Sequence, residues 1–451
     1  MLWVVDRARR RRCCAFHAYP CRAVELQHRI QRRDLPLRAG TPLLRPFRGL
    51  RPAPGRAPDV IAPPYDVITS DDARARSAGK PWSFLHISRA EIGFPAGTDP
   101  YSQQVYAAGA ASLARMVKEG VLVRDATPCY YAYRMTQGEH ARTGIVGVGS
   151  LAHYASNRIR RHELTTPEKE DDRVRQIDSL NVQTGPVMSA YPEAPEVDAI
   201  LAEAARDAPD ADATDTDDVR HSLWVIRDPG AVDRLSHAFH AMRCFYIADG
   251  HHRSAAAARV ALARRRQGAR AGGSHDYFLN VIFPVRDMCI LGYNRLLTDL
   301  GGLTPETFVE RVREHFTVET TRELSRPSAP REFCLCTGGV SYRLRLRTVL
   351  NPVGDALSRL DVRILSDFLL EPVLGIKDNG RDKRVAYVGG SRGMDELVRR
   401  VRSGEMAAAV ALYPTQMSDV IAVADAGGIM PPKSTWFAPK LVDGLISHVL
   451  D

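Results

Sequence analysis

Apolar positions fall into short runs set apart by Gly, Pro and charged clusters, with stretches of helical spacing between them. Residues 244–248 are continuously apolar, which predicts a buried strand. Asp249 and Gly250 end that run. Residues 254–266 hold Ala, Val, Leu and Arg without Gly or Pro, and predict a helix. Upstream, residues 61–67 read as a Pro-stiffened loop after a short strand and 83–87 as a strand. Residues 101–119 read as an amphipathic helix closed by Gly120, and 129–134 with 143–151 as a β pair. Thr166 before Pro167, with acids in the next turn, marks a helix start. Residues 194–219 predict a helix followed by an acidic surface loop. A strand over 222–227 and a helix over 229–242 then lead into the central strand. Beyond the central helix come strands over 277–285 and 288–293, and a helix over 305–315. A β pair over 333–336 and 341–349 follows, then a helix over 360–370. Strands over 384–388 and 407–413 flank a further helix. No internal repeat is visible. This alternation predicts a mixed α/β (α+β) protein.

Length and charge refine that picture. The 451 residues exceed one ordinary core, so two folded regions are expected, at 41–298 and 299–451. The net charge of +9 invites a nucleic-acid reading, but residues 1–58 carry 14 Arg against three acids. The remainder is close to neutral, which argues against a broad nucleic-acid surface. Residues 1–40 are Arg-rich and lack an apolar signal core; the composition is compatible with a transit peptide, but the preferred expectation is a disordered extension from a start chosen too early. No run is long enough to span a membrane. The eight Cys include no Cys-x-x-Cys pair, and Cys334 and Cys336 alternate as one face of a strand. A reduced, cytoplasmic protein is the natural reading. A homo-oligomer is compatible with the sequence.

The chemistry concentrates in Asp249-Gly-His-His-Arg253. A strand, a Gly turn and a helix start make a phosphate cradle, because the first helical N–H groups lack partners and the dipole is positive there. Gly250 allows close backbone approach, Arg253 offers a forked donor, and His251 and His252 add donors that titrate. The bland alternative is a solvated loop with an Asx-turn at Asp249. His162 and Glu163 precede the helix start at Thr166; Glu163 is either a general base or part of a charged, solvated face. Asp249 can hold Mg²⁺ through water. Zinc at His251 and His252 lacks a third ligand on the same element, though distant His162 or His275 could supply one. Lys433, Ser434 and Thr435 put a cation and two hydroxyls on a Pro-stiffened loop suited to phosphate or carboxylate.

Three runs together resemble the family known as domain of unknown function 1015: Ala62-Pro-Pro-Tyr-Asp-Val67, Arg161-His-Glu-Leu-Thr165 with Lys169, Glu170 and Arg173, and Asp249-Gly-His-His-Arg253. The match is expected to run from about Leu43 to the C-terminus. Three motifs in the same order, His162-Glu163, residues 249–253 and Pro432-Lys-Ser-Thr435, are also similar to the archaeal free-serine kinases of the ParB/sulfiredoxin-like fold. The resemblance implies a ParB/sulfiredoxin-like nucleotide-binding core with long insertions and a C-terminal α/β region. It implies transfer of a phosphoryl group from ATP or ADP, with Mg²⁺, to free L-serine or a similar small hydroxy substrate. Glu163 resembles the base and Asp249 the acid near the metal. Gly250, His251, His252 and Arg253 resemble the nucleotide cradle. Lys433, Ser434 and Thr435, with His162, resemble the substrate side. The alternative is a ParB-like nucleotide switch without kinase activity. A sulfiredoxin-like reductase would need a Cys where His251 stands, and a non-turning-over scaffold would keep the nucleotide for stability alone.

Overall fold

The computed structural model describes residues 33–352 and 354–451. Most of the expected Arg-rich extension, residues 1–32, lies outside the described residues. Among the described residues the largest sheet has nine strands. Eight of them run in the order Ile159–Arg160, Phe245–Asp249, Val187–Tyr191, Tyr277–Pro284, His140–Ser150, Tyr130–Gln137, Arg220–Ile226 and Ala211–Thr214. Leu44–Arg45 also joins His140–Ser150, pairing Leu44 with Gly149. Two pairings are parallel: Phe245–Asp249 with Ile159–Arg160, and Tyr277–Pro284 with Val187–Tyr191.

The alternation of side chains explains why these strands read as continuous apolar runs. Tyr130, Ala132, Ile145, Phe278 and Ile282 enter one core with Phe245 and Ile247 of the central strand and Ala257, Ala258 and Ala261 of the helix after it. Their neighbours Tyr131, Tyr133, Val146, Val148, Leu279, Val281 and Phe283 enter another. A sheet covered on both faces needs apolar residues at successive positions, not at every second one.

The second core continues into a six-stranded antiparallel sheet, ordered Phe316–Thr321, Val340–Leu346, Glu332–Thr337, Ala408–Leu412, Tyr293–Leu297 and Val385–Gly389. Leu335, Leu412 and Phe333 share one apolar cluster with Leu279 and Phe283 of the first sheet. Cys334 and Cys336 are buried on one face of their strand and unbridged. A small sheet joins early and late segments of the chain, in the order Leu122–Arg124, Gly49–Pro52, Ser447–Val449 and Val182–Gln183. The mixed α/β architecture is the one the sequence predicts. Among the described residues no helix is long and apolar enough to cross a membrane.

Three local expectations are corrected. Residues 83–87 are not a strand: Leu85–Ser88 is a helical turn. Its Leu85 and Ile87 pack with Val60, Leu113 and Met116, a contact set that periodicity over a five-residue stretch cannot resolve. The Pro-rich loop at 61–67 follows the short helix Ala57–Val60, with Pro at its start, instead of a strand. The acidic loop after residue 204 contains an edge strand, Ala211–Thr214, paired with Arg220–Ile226. There Asp212 accepts from Arg220 Nη2 at 2.9 Å and from Ser222 Oγ at 2.6 Å, so cross-strand partners neutralise the acid that made the segment look like a loop.

Candidate functional site

The central strand Phe245–Asp249 is buried through Ala248 and brings Asp249 to the wall of a cavity of about 350 Å³. Gly250 turns the chain with φ +94°, and a Cβ there would lie 3.3 Å from Val187 Cα. Glycine is favoured by the left-handed backbone, and the tight approach to Val187 adds to that preference. The helix His251–Arg266 starts at once, and no side chain caps it. The Arg253 and Ser254 N–H groups donate to the Gly250 carbonyl at 2.9 and 3.0 Å, so the N–H groups of His251 and His252 are the ones that the helix itself leaves without an acceptor.

Most of the residues singled out in the sequence meet at this cavity. Glu163, Asp249, Gly250, His251, His252, Arg253, Lys433 and Thr435 all line it, together with Asp66 and Lys169 from the other family-like runs. Ser434 does not. Its hydroxyl donates to the Pro431 carbonyl at 2.6 Å and its own carbonyl accepts from Thr415 Oγ1, so it fixes the loop. His162 is buried behind the wall, and its backbone N–H donates to His251 Nε2 at 3.5 Å.

The two histidines of the turn are not the titrating cations that the sequence suggests. Burial pushes His252 down to about 4, helped by Lys169, and holds His251 well below its ordinary value, helped by His162. His162 is likewise driven down to about 4 by burial, against the opposing pull of the Ile247 carbonyl and Asp249. All three are neutral near pH 7. His252 Nε2 accepts from the Thr166 N–H at 3.1 Å, at the mouth of helix Pro167–Leu180, which leaves Nδ1 of the neutral ring as the donor.

Arg253 also differs from a free phosphate fork. Nη1 donates to the Pro186 carbonyl at 2.7 Å and Nη2 to Asp66 Oδ2 at 3.2 Å. Burial works against its charge, but Asp66 and Asp249 outweigh burial and raise its pKa. Arg253 is a permanent cation bracing the turn against the loop at Asp66, and Tyr65 of that loop lies 5.6 Å beneath the guanidinium.

Further positive charge at the site comes from lysines. Lys440 Nζ lies 3.3 Å from Asp249 Oδ2 and 4.6 Å from the centre of the Trp436 ring. Lys433 Nζ stands 5.6 Å over the Tyr293 ring. The backbone of Lys433 is left-handed, at φ +60°, and its carbonyl accepts from buried Arg295 Nη2 at 3.1 Å. Burial raises the Asp249 carboxyl, but Lys440 and Arg253 overcome it and hold the group well below the usual carboxylate range. Glu163 goes the opposite way: burial raises its carboxyl and Asp249 adds to that, against Lys433, Lys169 and Lys440. Two carboxylates in one cavity with pKa values pushed apart is the arrangement expected where one must stay charged and the other exchange a proton.

Lys440, Tyr293 and Trp436 were not singled out in the sequence. Pro439-Lys440 repeats the Pro-Lys step of Pro432-Lys433 seven residues on, and that repetition is the one local signal for it.

The family model for proteins of unknown function called DUF1015 matches residues 44–363, more than half of the chain, and stops short of the C-terminus that the resemblance is expected to reach. No curated protein matches. Among solved structures, a conserved hypothetical protein from Pyrococcus furiosus is similar at 13% identity and a TM-score of 0.33, covering 66% of this chain and 94% of its own. Free serine kinase in complex with AMP is similar at 13% identity and a TM-score of 0.33, covering 66% and 91%. C-terminally truncated SbnI from Staphylococcus aureus is similar at 12% identity and a TM-score of 0.34, covering 66% and 85%. Likeness at this level carries no residue-by-residue correspondence.

Proposed function

We propose that this chain, which belongs to the DUF1015 family, is a small-molecule kinase moving a phosphoryl group from ATP or ADP to the hydroxyl of free L-serine or a similar compound. One observation carries the reading. Glu163, with its pKa raised, shares a cavity with the uncapped start of the central helix and with Lys169, Lys433 and Lys440. Phosphoryl transfer asks mainly for positioning and charge neutralisation, which this set of groups supplies.

In this reading the helix N-terminus and the lysines hold the nucleotide phosphates, and Arg253 keeps the turn in shape. Glu163 accepts the proton of the acceptor hydroxyl as its oxygen forms a bond to the terminal phosphorus. The bond from that phosphorus to the bridging oxygen breaks, and ADP leaves, or AMP where ADP is the donor. The lysines meet the charge gathering on the leaving phosphate. The donor set fits Mg²⁺: Asp249 stays ionised, and Lys440 occupies one side of a carboxylate that has lone pairs to spare. Mg²⁺ on Asp249, largely through water, would neutralise phosphate oxygens. The protein is read as a cytoplasmic enzyme whose partners are nucleotide and small hydroxy substrate.

³¹P NMR of the purified protein with Mg²⁺ and ATP, then ADP, against a panel of hydroxy compounds led by L-serine tests this. A new phosphomonoester resonance is the expected result. Bound nucleotide with no transfer to any acceptor would overturn the kinase and leave the nucleotide switch.

A further inference from the structure

His162, Glu163 and His251 form a cluster in which one ligand-capable atom of each lies within 4.8 Å of the other two. The His162 and His251 rings meet edge to face, with centroids 4.5 Å apart and planes at 87°. His251 Nδ1 lies 3.9 Å from Glu163 Oε2. His162 is only 1% exposed, and neither of its ring nitrogens makes a well-formed hydrogen bond. An imidazole buried with only the imperfectly placed Ile247 carbonyl beside it recovers little of the hydration it has lost, so it calls for an explanation.

Two imidazoles and a carboxylate are a donor set for borderline divalent ions. Mg²⁺ prefers oxygen alone, whereas zinc and its neighbours take nitrogen readily. We propose that His162, Glu163 and His251 bind a divalent transition-metal ion of the zinc class, with its remaining position open to the cavity that Glu163 lines. The ion takes one nitrogen from each ring and one carboxylate oxygen. Bonds of about 2.0–2.2 Å place tetrahedral donors roughly 3.4 Å apart, so the present cluster closes on the ion by small side-chain rotations. Coordination through His251 Nδ1 gives up the hydrogen bond from the His162 N–H, which at 3.5 Å is already at its length limit.

This site is separate in kind from Mg²⁺ at Asp249 and goes beyond the phosphotransfer reading. A Glu163 oxygen engaged by such an ion cannot take a proton in the same moment, so the ion inhibits transfer where transfer occurs.

The test uses the full chain stripped with a chelator. Zn²⁺ is titrated in competition with a chromophoric zinc indicator in a large excess of Mg²⁺, and Co²⁺ is added while visible absorption is recorded. The expected result is one equivalent of Zn²⁺ unmoved by Mg²⁺, with a ligand-field band for Co²⁺ that Zn²⁺ removes. Glu163→Gln and His162→Gln should each weaken binding roughly 100-fold or more. If His162→Gln fails to fold by circular dichroism, Glu163→Gln decides, because that side chain is 29% exposed. Wild-type affinity in Glu163→Gln, or no stoichiometric Zn²⁺ in the wild type, overturns the site. Neither readout depends on kinase activity.

Discussion

Glu163 is useful as a base only when ionised, and its surroundings set where that happens. Burial and Asp249 place its carboxyl above the ordinary value of 4.5. On the kinase reading kcat/KM therefore falls on the acid side along a limb centred above pH 4.5, because protonation removes the base. Glu163→Gln should lower kcat by about 10²–10⁴-fold and leave nucleotide affinity within a few-fold. Initial rates across pH and equilibrium nucleotide binding check this, and equal loss of turnover and affinity would contradict the base. At this scale the sequence is informative where chemistry is contiguous, as in His162-Glu163 and Asp249-Gly-His-His-Arg253. It is silent where a partner arrives from afar: Lys440 meets Asp249 across 191 positions, and Asp66 meets Arg253 across 187. It also misleads on charge. His251 and His252 look like titrating donors in a string of letters, but burial keeps both neutral, and no local pattern reports burial of that depth.

The strand, turn and helix around Gly250 act as one element. The strand is fixed by apolar residues on both faces, and the helix by Ala256 and Val260 packing against Ile177 of the neighbouring helix. The turn between them has no slack, since its one left-handed residue also lies against Val187. Gly250→Ala should destabilise the fold by roughly 1–2 kcal/mol, the cost of a Cβ in that backbone region. It should also weaken nucleotide binding, because the first helical N–H groups shift with the turn. Thermal unfolding and a nucleotide titration measure the two effects, and a variant unchanged in both would remove the turn from the cradle. Long periodic elements were legible: the spacing over 101–119 predicts the helix Gln103–Lys118, and the run over 244–248 predicts Phe245–Asp249. Short ones were not. The strand Ala211–Thr214 exists because Arg220–Ile226 offers it an edge, and that pairing is a property of two segments, not of one.

Across the whole molecule, the last residues of the chain close the site from the far side. After the six-stranded sheet the backbone passes Lys433 and Lys440, and Asp443 then pairs with Ala62 through two backbone hydrogen bonds of 3.1 and 2.9 Å. Ser447–Val449 goes on to become an inner strand beside Gly49–Pro52. This return brings the Lys loop, the Asp66 loop and the central turn to one cavity, and no composition shift or linker in the sequence announces it. Asp443 sits at the join, 2% exposed, with Oδ1 lacking a hydrogen-bond partner. Burial, with Asp66 adding and Arg253 and Arg173 opposing, pushes its carboxyl up to about 7 from an ordinary 3.8. The folded state thus holds this proton across a range in which the unfolded chain has released it. Its contribution to stability is full below pH 3.8, declines as pH rises, and is gone once pH passes about 7. Asp443→Asn keeps the shape of the neutral acid and cannot ionise. The variant should match the wild type most closely near about pH 4 and gain on it steadily toward about pH 8, as read from Tm against pH for both proteins. Taking the difference between the two curves cancels every other titrating group that they share. A difference in Tm that stays constant with pH would mean that Asp443 is ionised in the fold, with Arg253 and Arg173 stabilising its charge more than burial penalises it.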